Sequence, residues 1–149
     1  MSDNTLIFIP VDPLYTPEAN AAEQAVKLLK EQPLQAEVTL QITEDVEFVA
    51  TGANFERILC PICRSEIDEN WWINAIDKAY EKTKFADLTI TLPCCGNVSS
   101  LNDVLYEWPT GFARFQLKAC NPGKDVEEAT VHDLEEILGC PLWKIWAHF

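Results

Sequence analysis

Two pairs of cysteines have the types and spacing to act on one ion. Cys60-Pro61-Ile62-Cys63 carries the C-x2-C spacing with which one tight turn presents two sulfurs together, and Cys94-Cys95 follows after 30 intervening residues, directly before Gly96. Four thiolates make the closed tetrahedral set that structural zinc prefers, with Zn–S bonds of about 2.3 Å. Successive side chains on a regular strand point to opposite faces, so Cys94 and Cys95 meet one ion only where the chain turns sharply. Gly96 permits such a turn. The expectation is a structural Zn2+ site on Cys60, Cys63, Cys94 and Cys95, with Cys120, Cys140 and His132 left open as replacement ligands.

Other readings compete for the same sulfurs. A disulfide framework does not suit a compartment that keeps thiols reduced, and free cysteines also serve as small buried hydrophobes. Cys60-Pro61-Ile62-Cys63 is similar to the C-P-x-C of glutaredoxins, in which a following helix lowers the first thiol's pKa. Here the clear helical pattern begins only near Asp68, and Glu66, Asp68 and Glu69 oppose a thiolate. A dithiol oxidoreductase using this motif is therefore the alternative to the zinc site. Four thiolates and a zinc ion move the formal charge from −13 to −15, and Arg57 and Arg64 are candidates to hydrogen-bond the sulfurs.

No other catalytic constellation accompanies the cysteines. The sequence has no G-x-x-x-x-G-K-[ST], G-x-S-x-G, H-E-x-x-H or G-x-G-x-x-G. His132 reads as a surface helix residue and Asp12, between Pro10 and Pro13, as a turn residue. No catalytic residue is assigned.

The elements that must hold the sulfurs follow from periodicity. Thr5 to Ile9 reads as a first strand, and Thr16-Pro17-Glu18 starts a helix running to about Gln32. Val38, Leu40 and Ile42 alternate as a strand; Thr43-Glu44-Asp45 suggests a hairpin turn into Val46 to Ala50. Gly52-Ala53-Asn54 breaks the pattern before the first cysteine pair. A helix from about Asp68 to Lys82 carries Trp72, Ala75, Ile76, Ala79 and Tyr80 on one face. Leu88, Ile90 and Leu92 alternate toward the second pair. Ser100 with Asp103 suggests a short capped helix ending before Pro109, with Arg114 folding back toward this stretch. Phe115, Leu117 and Ala119 alternate on a strand, Thr130 with Asp133 caps a last helix closed by Gly139, and Leu142 to Phe149 forms a final strand. In that strand Trp143 and Trp146 fall on opposite faces, and Trp108 reads as core. The fold class is α+β: a single two-layer domain, 1–149, of mixed sheet and helices with an embedded zinc knuckle.

The chain of 149 residues carries 24 acidic against 11 basic side chains, for a formal charge of −13. Such a surface repels a phosphate backbone and an anionic membrane alike, so no nucleic-acid partner and no membrane is expected. A hydrophobic content of 48% excludes a disordered chain, and no apolar run approaches the roughly 18 residues of a membrane helix. MSDNTLIFIP lacks the basic start of a secretory signal, which points to a cytoplasmic protein.

Two resemblances bear on the motifs. A C-x2-C followed by a Cys-Cys pair is similar to the ligand spacing in the small zinc subunit of archaeal and eukaryotic RNA polymerases. Cys60-Pro61-Ile62-Cys63, Leu92-Pro93-Cys94-Cys95-Gly96, Ser100-Leu101-Asn102-Asp103, Trp108-Pro109 and Gly111-Phe112-Ala113-Arg114-Phe115 together resemble a family of small bacterial proteins. That resemblance implies a bacterial origin and a single-domain unit, and brings no activity with it. The expectation is a non-catalytic, zinc-stabilised module that binds another protein, with a basic partner such as a cationic toxin favoured by the charge. The aromatic C-terminal segment also invites cover from a protein partner or a second copy in a homodimer.

Overall fold

The computed structural model describes residues 4–32, 36–49, 51, 57–107 and 110–148, and its architecture is α+β. The apolar run at the start forms β1 (Asn4–Pro10), in which Leu6, Ile7, Phe8 and Ile9 are all buried. A strand buried on both faces belongs inside a sheet. β1 is paired there by β7 (Gly111–Cys120) on one side and β8 (Leu142–His148) on the other. β2 (Glu37–Val49) joins the free edge of β7, giving the order β2-β7-β1-β8 with every described pair antiparallel.

Helices α1 (Ala19–Lys30) and α3 (Glu128–Leu138) cover one face of this sheet. Ala22, Ala25 and Leu29 of α1, with Leu134 and Leu138 of α3, pack on Leu6, Phe8, Phe115, Leu117 and Ala119. The small alanines of α1 let it approach closely. Gly139, at φ +77°, closes α3 in the left-handed conformation that costs glycine nothing.

A second core holds the cysteines. It gathers Ile58 of β3 (Ile58–Leu59), Trp72 of α2 (Glu69–Thr83) and Ile90 of β4 (Thr89–Thr91), together with Leu92, Leu101 and Cys60 itself. β4 pairs with β5 (Val98–Ser100) across the second cysteine loop, and β3 with β6 (Leu105–Tyr106) across the whole intervening segment, both pairs antiparallel. Phe112 and Val46 belong to this core as well, which ties it to the main sheet. The Trp72 indole N–H donates to the Tyr106 hydroxyl at 3.1 Å, and that hydroxyl donates to the Leu101 carbonyl at 2.7 Å. Burial raises the Tyr106 pKa, so the hydroxyl stays a donor.

Several expected boundaries move, each for a visible reason. Thr43-Glu44-Asp45 is no hairpin turn: β2 runs through it, with a register shift against β7 between Ile42 and Glu47. The Thr43 carbonyl accepts from Arg114 Nε at 3.0 Å, so a bulge uses the polar residues that a turn would also use. Arg114 thereby points to the bulge and not to the second cysteine pair. Ser100 to Asp103 forms a turn in place of a helix; the Ser100 hydroxyl accepts from Asn102 N, and the chain re-enters an extended form at β6. The first helix starts after Glu18, because Pro17 is buried and Tyr15 is anchored through its hydroxyl to the Leu138 carbonyl at 2.6 Å. Thr130 lies inside α3 and donates to Gln32 across the helix pair, so Glu127 takes the capping place. Asp12 is a turn residue, accepting from Leu14 N, and Asp68, near which the second helix was expected to begin, is the cap of α2, accepting from Asn70 N.

Trp143 and Trp146 do take opposite faces of β8. Trp146 packs on the helix-side core, and Trp143 on the cluster of Ile7, Ile9, Val49 and Ile145. The break at Gly52-Ala53-Asn54 and the core place of Trp108 lie outside the described residues.

Leu134 is fully buried between α1 and the sheet. Leu134→Ala is expected to cost about 2–5 kcal/mol through the lost contacts and the cavity left behind, read by urea unfolding. A loss under about 1 kcal/mol would mean that α3 does not carry this core.

Candidate metal centre

Each cysteine pair sits in a tight loop, and the two loops repeat one backbone pattern. In the first, Cys60 N donates to the Ser65 carbonyl at 2.9 Å and Arg64 N to the Cys60 carbonyl at 3.1 Å. In the second, Leu92 N donates to the Asn97 carbonyl at 2.9 Å and Gly96 N to the Leu92 carbonyl at 3.0 Å. The fifth residue of each loop is left-handed, Arg64 at φ +65° and Gly96 at φ +73°. A proline follows the first residue in both loops and presets the turn. The two loops are therefore equivalent position by position: Cys60 with Leu92, Ile62 with Cys94, Cys63 with Cys95, and Ser65 with Asn97.

That equivalence explains the adjacent pair. Leu92 occupies the place that Cys60 holds in the first loop, and both are buried in the second core. The missing sulfur is supplied two residues later by Cys94, from the position where the first loop carries the exposed Ile62. The turn at Gly96, rather than a strand, is what brings both sulfurs to one side.

The four sulfurs converge. All lie within 4.8 Å of one another, with Cys60 Sγ 3.8 Å from Cys95 Sγ and Cys63 Sγ 3.3 Å from Cys94 Sγ. A tetrahedron with Zn–S bonds of about 2.3 Å has S···S edges of about 3.8 Å. The cluster therefore has the dimensions to hold one metal ion after adjustments of at most about 1 Å. Cys60 is fully buried, while Cys63, Cys94 and Cys95 are exposed, so the site has one root in the core and three ligands near solvent.

Backbone and side-chain donors already surround the sulfurs. Ile62 N and Cys63 N each lie 3.4 Å from Cys60 Sγ, and Asn97 Nδ2 lies 3.3 Å from Cys95 Sγ. Ser65 Oγ, at the place equivalent to Asn97, lies 3.3 Å from Cys63 Sγ. The Ser65 hydroxyl and N–H bring the Cys63 thiol down to about 6, and the Asn97 N–H and amide lower Cys95. Cys94 is pushed up to about 12, chiefly by its hydrogen bond to Cys63, because the neighbouring thiolate holds the proton on it. Glu66, Asp68 and Glu69, expected to oppose a thiolate, are not among the groups that shift Cys63. Sequence reading missed Ser65 and Asn97; their signal is the shared offset of two residues beyond Cys63 and Cys95.

The remaining candidates stand elsewhere. Cys120 ends β7, Cys140 follows α3, and neither belongs to the cluster. Burial raises the Cys140 thiol to about 11, helped by Glu135 and Asp12. His132 is an exposed residue of α3 lying 3.2 Å from Glu135. Arg57 pairs with Glu107, and among the described residues no arginine side chain hydrogen-bonds a sulfur.

No helix among the described residues is long and apolar enough to cross a membrane. No protein-family model, curated protein or solved structure matches the chain.

The loop equivalence yields a test by exchange. Cys94→Ile alone removes a ligand, and Leu92→Cys with Cys94→Ile restores a regular C-x2-C loop. The double variant is expected to retain one metal ion per chain by elemental analysis, and the single variant to lose it. Equal loss in both would show that the second loop does not follow the first.

Proposed function

We propose that the chain is a non-catalytic, zinc-stabilised module that acts by binding another protein of basic character, in the manner of an immunity-type inhibitor. The observation that carries the zinc reading is the convergence of four thiols from two equivalent loops, one of them rooted in a hydrophobic core. Four thiolates satisfy zinc completely and leave no position for a reactive water, which favours a structural ion over a hydrolytic one. No second ligand set competes for the ion among the described residues.

Protein purified without a histidine tag is expected to contain one zinc ion per chain, and chelation to lower its melting temperature. Because metal binding energy is folding energy in a site of this kind, Cys60→Ser and Cys94→Ser should both lower the midpoint, Cys60→Ser the more since its sulfur is buried. Zinc well below one per chain, with disulfide-reductase turnover, would replace this reading with a dithiol oxidoreductase.

Charge supports the kind of partner. Glu127, Glu128, Asp133 and Glu136 are exposed on and before α3, and Glu44, Asp45 and Glu47 are exposed at the bulge of β2. Glu135 has a different duty: its carboxylate accepts from Leu142 N at 2.8 Å and fixes the start of β8. A formal charge of −13 steers a cationic surface toward the chain and can raise association rates by about 10–10³-fold at low salt. Capture from a native lysate at two salt concentrations is expected to return a basic protein whose retention falls steeply with added salt. Recovery of acidic partners alone, insensitive to salt, would overturn the charge argument.

A further inference from the structure

The acidic excess of this chain makes the placement of its lysines informative. A groove of about 520 Å³ runs between α2 and β4, within the size range of small-molecule sites. Lys78 and Lys82 line it one helical turn apart, about 6 Å along the axis. Neither forms an ion pair among the described residues, although the chain has 24 carboxylates to offer. Asp77 and Glu81, on the same helix, are not among the groove's lining residues. Asp87 is the one carboxylate in the lining; its Oδ1 accepts from Thr89 N at 2.9 Å, and the Thr89 hydrogen bonds together with the charge of Lys82 lower its pKa, so one ionised carboxylate faces Lys82 within the groove.

The rest of the lining is equally selective. Thr89, Ile90 and Thr91 of β4 all line the groove, Ile90 buried and the two threonines exposed. Trp71 is half-buried at the other end of the same helical face, and Asn74 lies one turn further on. Trp71 to Lys78 spans about 10 Å of helix. That separation is comparable to the distance between a nucleobase and its terminal phosphates.

We infer that this groove is a binding site for a nucleoside phosphate, with the base on the Trp71 indole and the phosphates between Lys78 and Lys82. Indole faces stack on any nucleobase, ammonium groups take phosphate as point charges, and the threonine hydroxyls can donate to phosphate oxygens. The net charge of −13 repels anions from every other direction, so the two lysines must supply the attraction locally. The site does not depend on the identity of the metal, and its failure leaves the zinc reading untouched.

Isothermal titration of the purified protein with ADP, GDP, CDP and UDP in magnesium-free buffer tests the site, with pyrophosphate as the probe lacking a ring. At least one nucleotide is expected to saturate one site per chain with Kd below about 1 mM, and pyrophosphate to bind more weakly. Lys78→Gln with Lys82→Gln, both exposed and compatible with folding, should weaken the nucleotide by at least about tenfold while zinc content stays unchanged. Trp71→Leu should weaken the nucleotide but not pyrophosphate. Absence of saturation with all four nucleotides, or unchanged affinity in the lysine variant, would overturn the proposal.

Discussion

A strand buried on both faces must find apolar cover on two sides at once, and β7 finds it in two different cores. Phe115, Leu117 and Ala119 face the layer built by α1 and α3, while Phe112 reaches into the core around Trp72 and Leu92. The same strand pairs with β1 on one edge and β2 on the other. Each of these demands fixes its register, because a slip of one residue would send every side chain to the wrong face. The helices, the cysteine loops and the bulge of β2 all take their positions from it.

The metal centre depends on that arrangement more than on local propensity. β3, β4, β5 and β6 are only two or three residues long, too short to stand alone. What steadies them is the second core, in which Trp72 packs edge-on against Phe48 and Tyr106 with centroids 5.6 and 5.9 Å apart. Cys60 lies within that core, and α2 spans the stretch between the two loops. The acidic surface and the sulfur cluster are thus separate features: the core positions the thiols, and the carboxylates of α3 and the β2 bulge are exposed away from it.

Much of this was legible in the residues. The two cysteine pairs, the helix start near Asp68, the Leu88-Ile90-Leu92 alternation, Gly139 and the opposed Trp143 and Trp146 all follow from short-range rules, and short-range rules suffice where the partner is next in sequence. The bulge in β2 did not, because Thr43-Glu44-Asp45 has the composition of a turn and only Arg114, 71 residues away, makes it a continuation. Thr130 misled in the same way: its hydroxyl serves Gln32, just beyond the end of α1, so its capping pattern is unused. The equivalence of the cysteine loops was hidden by the exchange of Leu92 and Cys94, which disguises a regular loop as an irregular motif. Backbone hydrogen bonds, unlike side-chain spacing, do not register that exchange.

The helix-side core and the cysteine-side core, two of the three buried clusters, also give the molecule two levels of opening. The helix-side core rests on strands of seven to thirteen residues, whereas the cysteine-side core rests on strands of two or three. Loss of an ion from the sulfurs would release a cross-link between the two cysteine loops and leave the long sheet intact. Amides of β4 and β5 would then exchange with solvent through a sub-global fluctuation that amides of β1 and β7 do not share. With an ion bound, the cysteine-side half would open and close as a cooperative unit on the template of the four-stranded sheet.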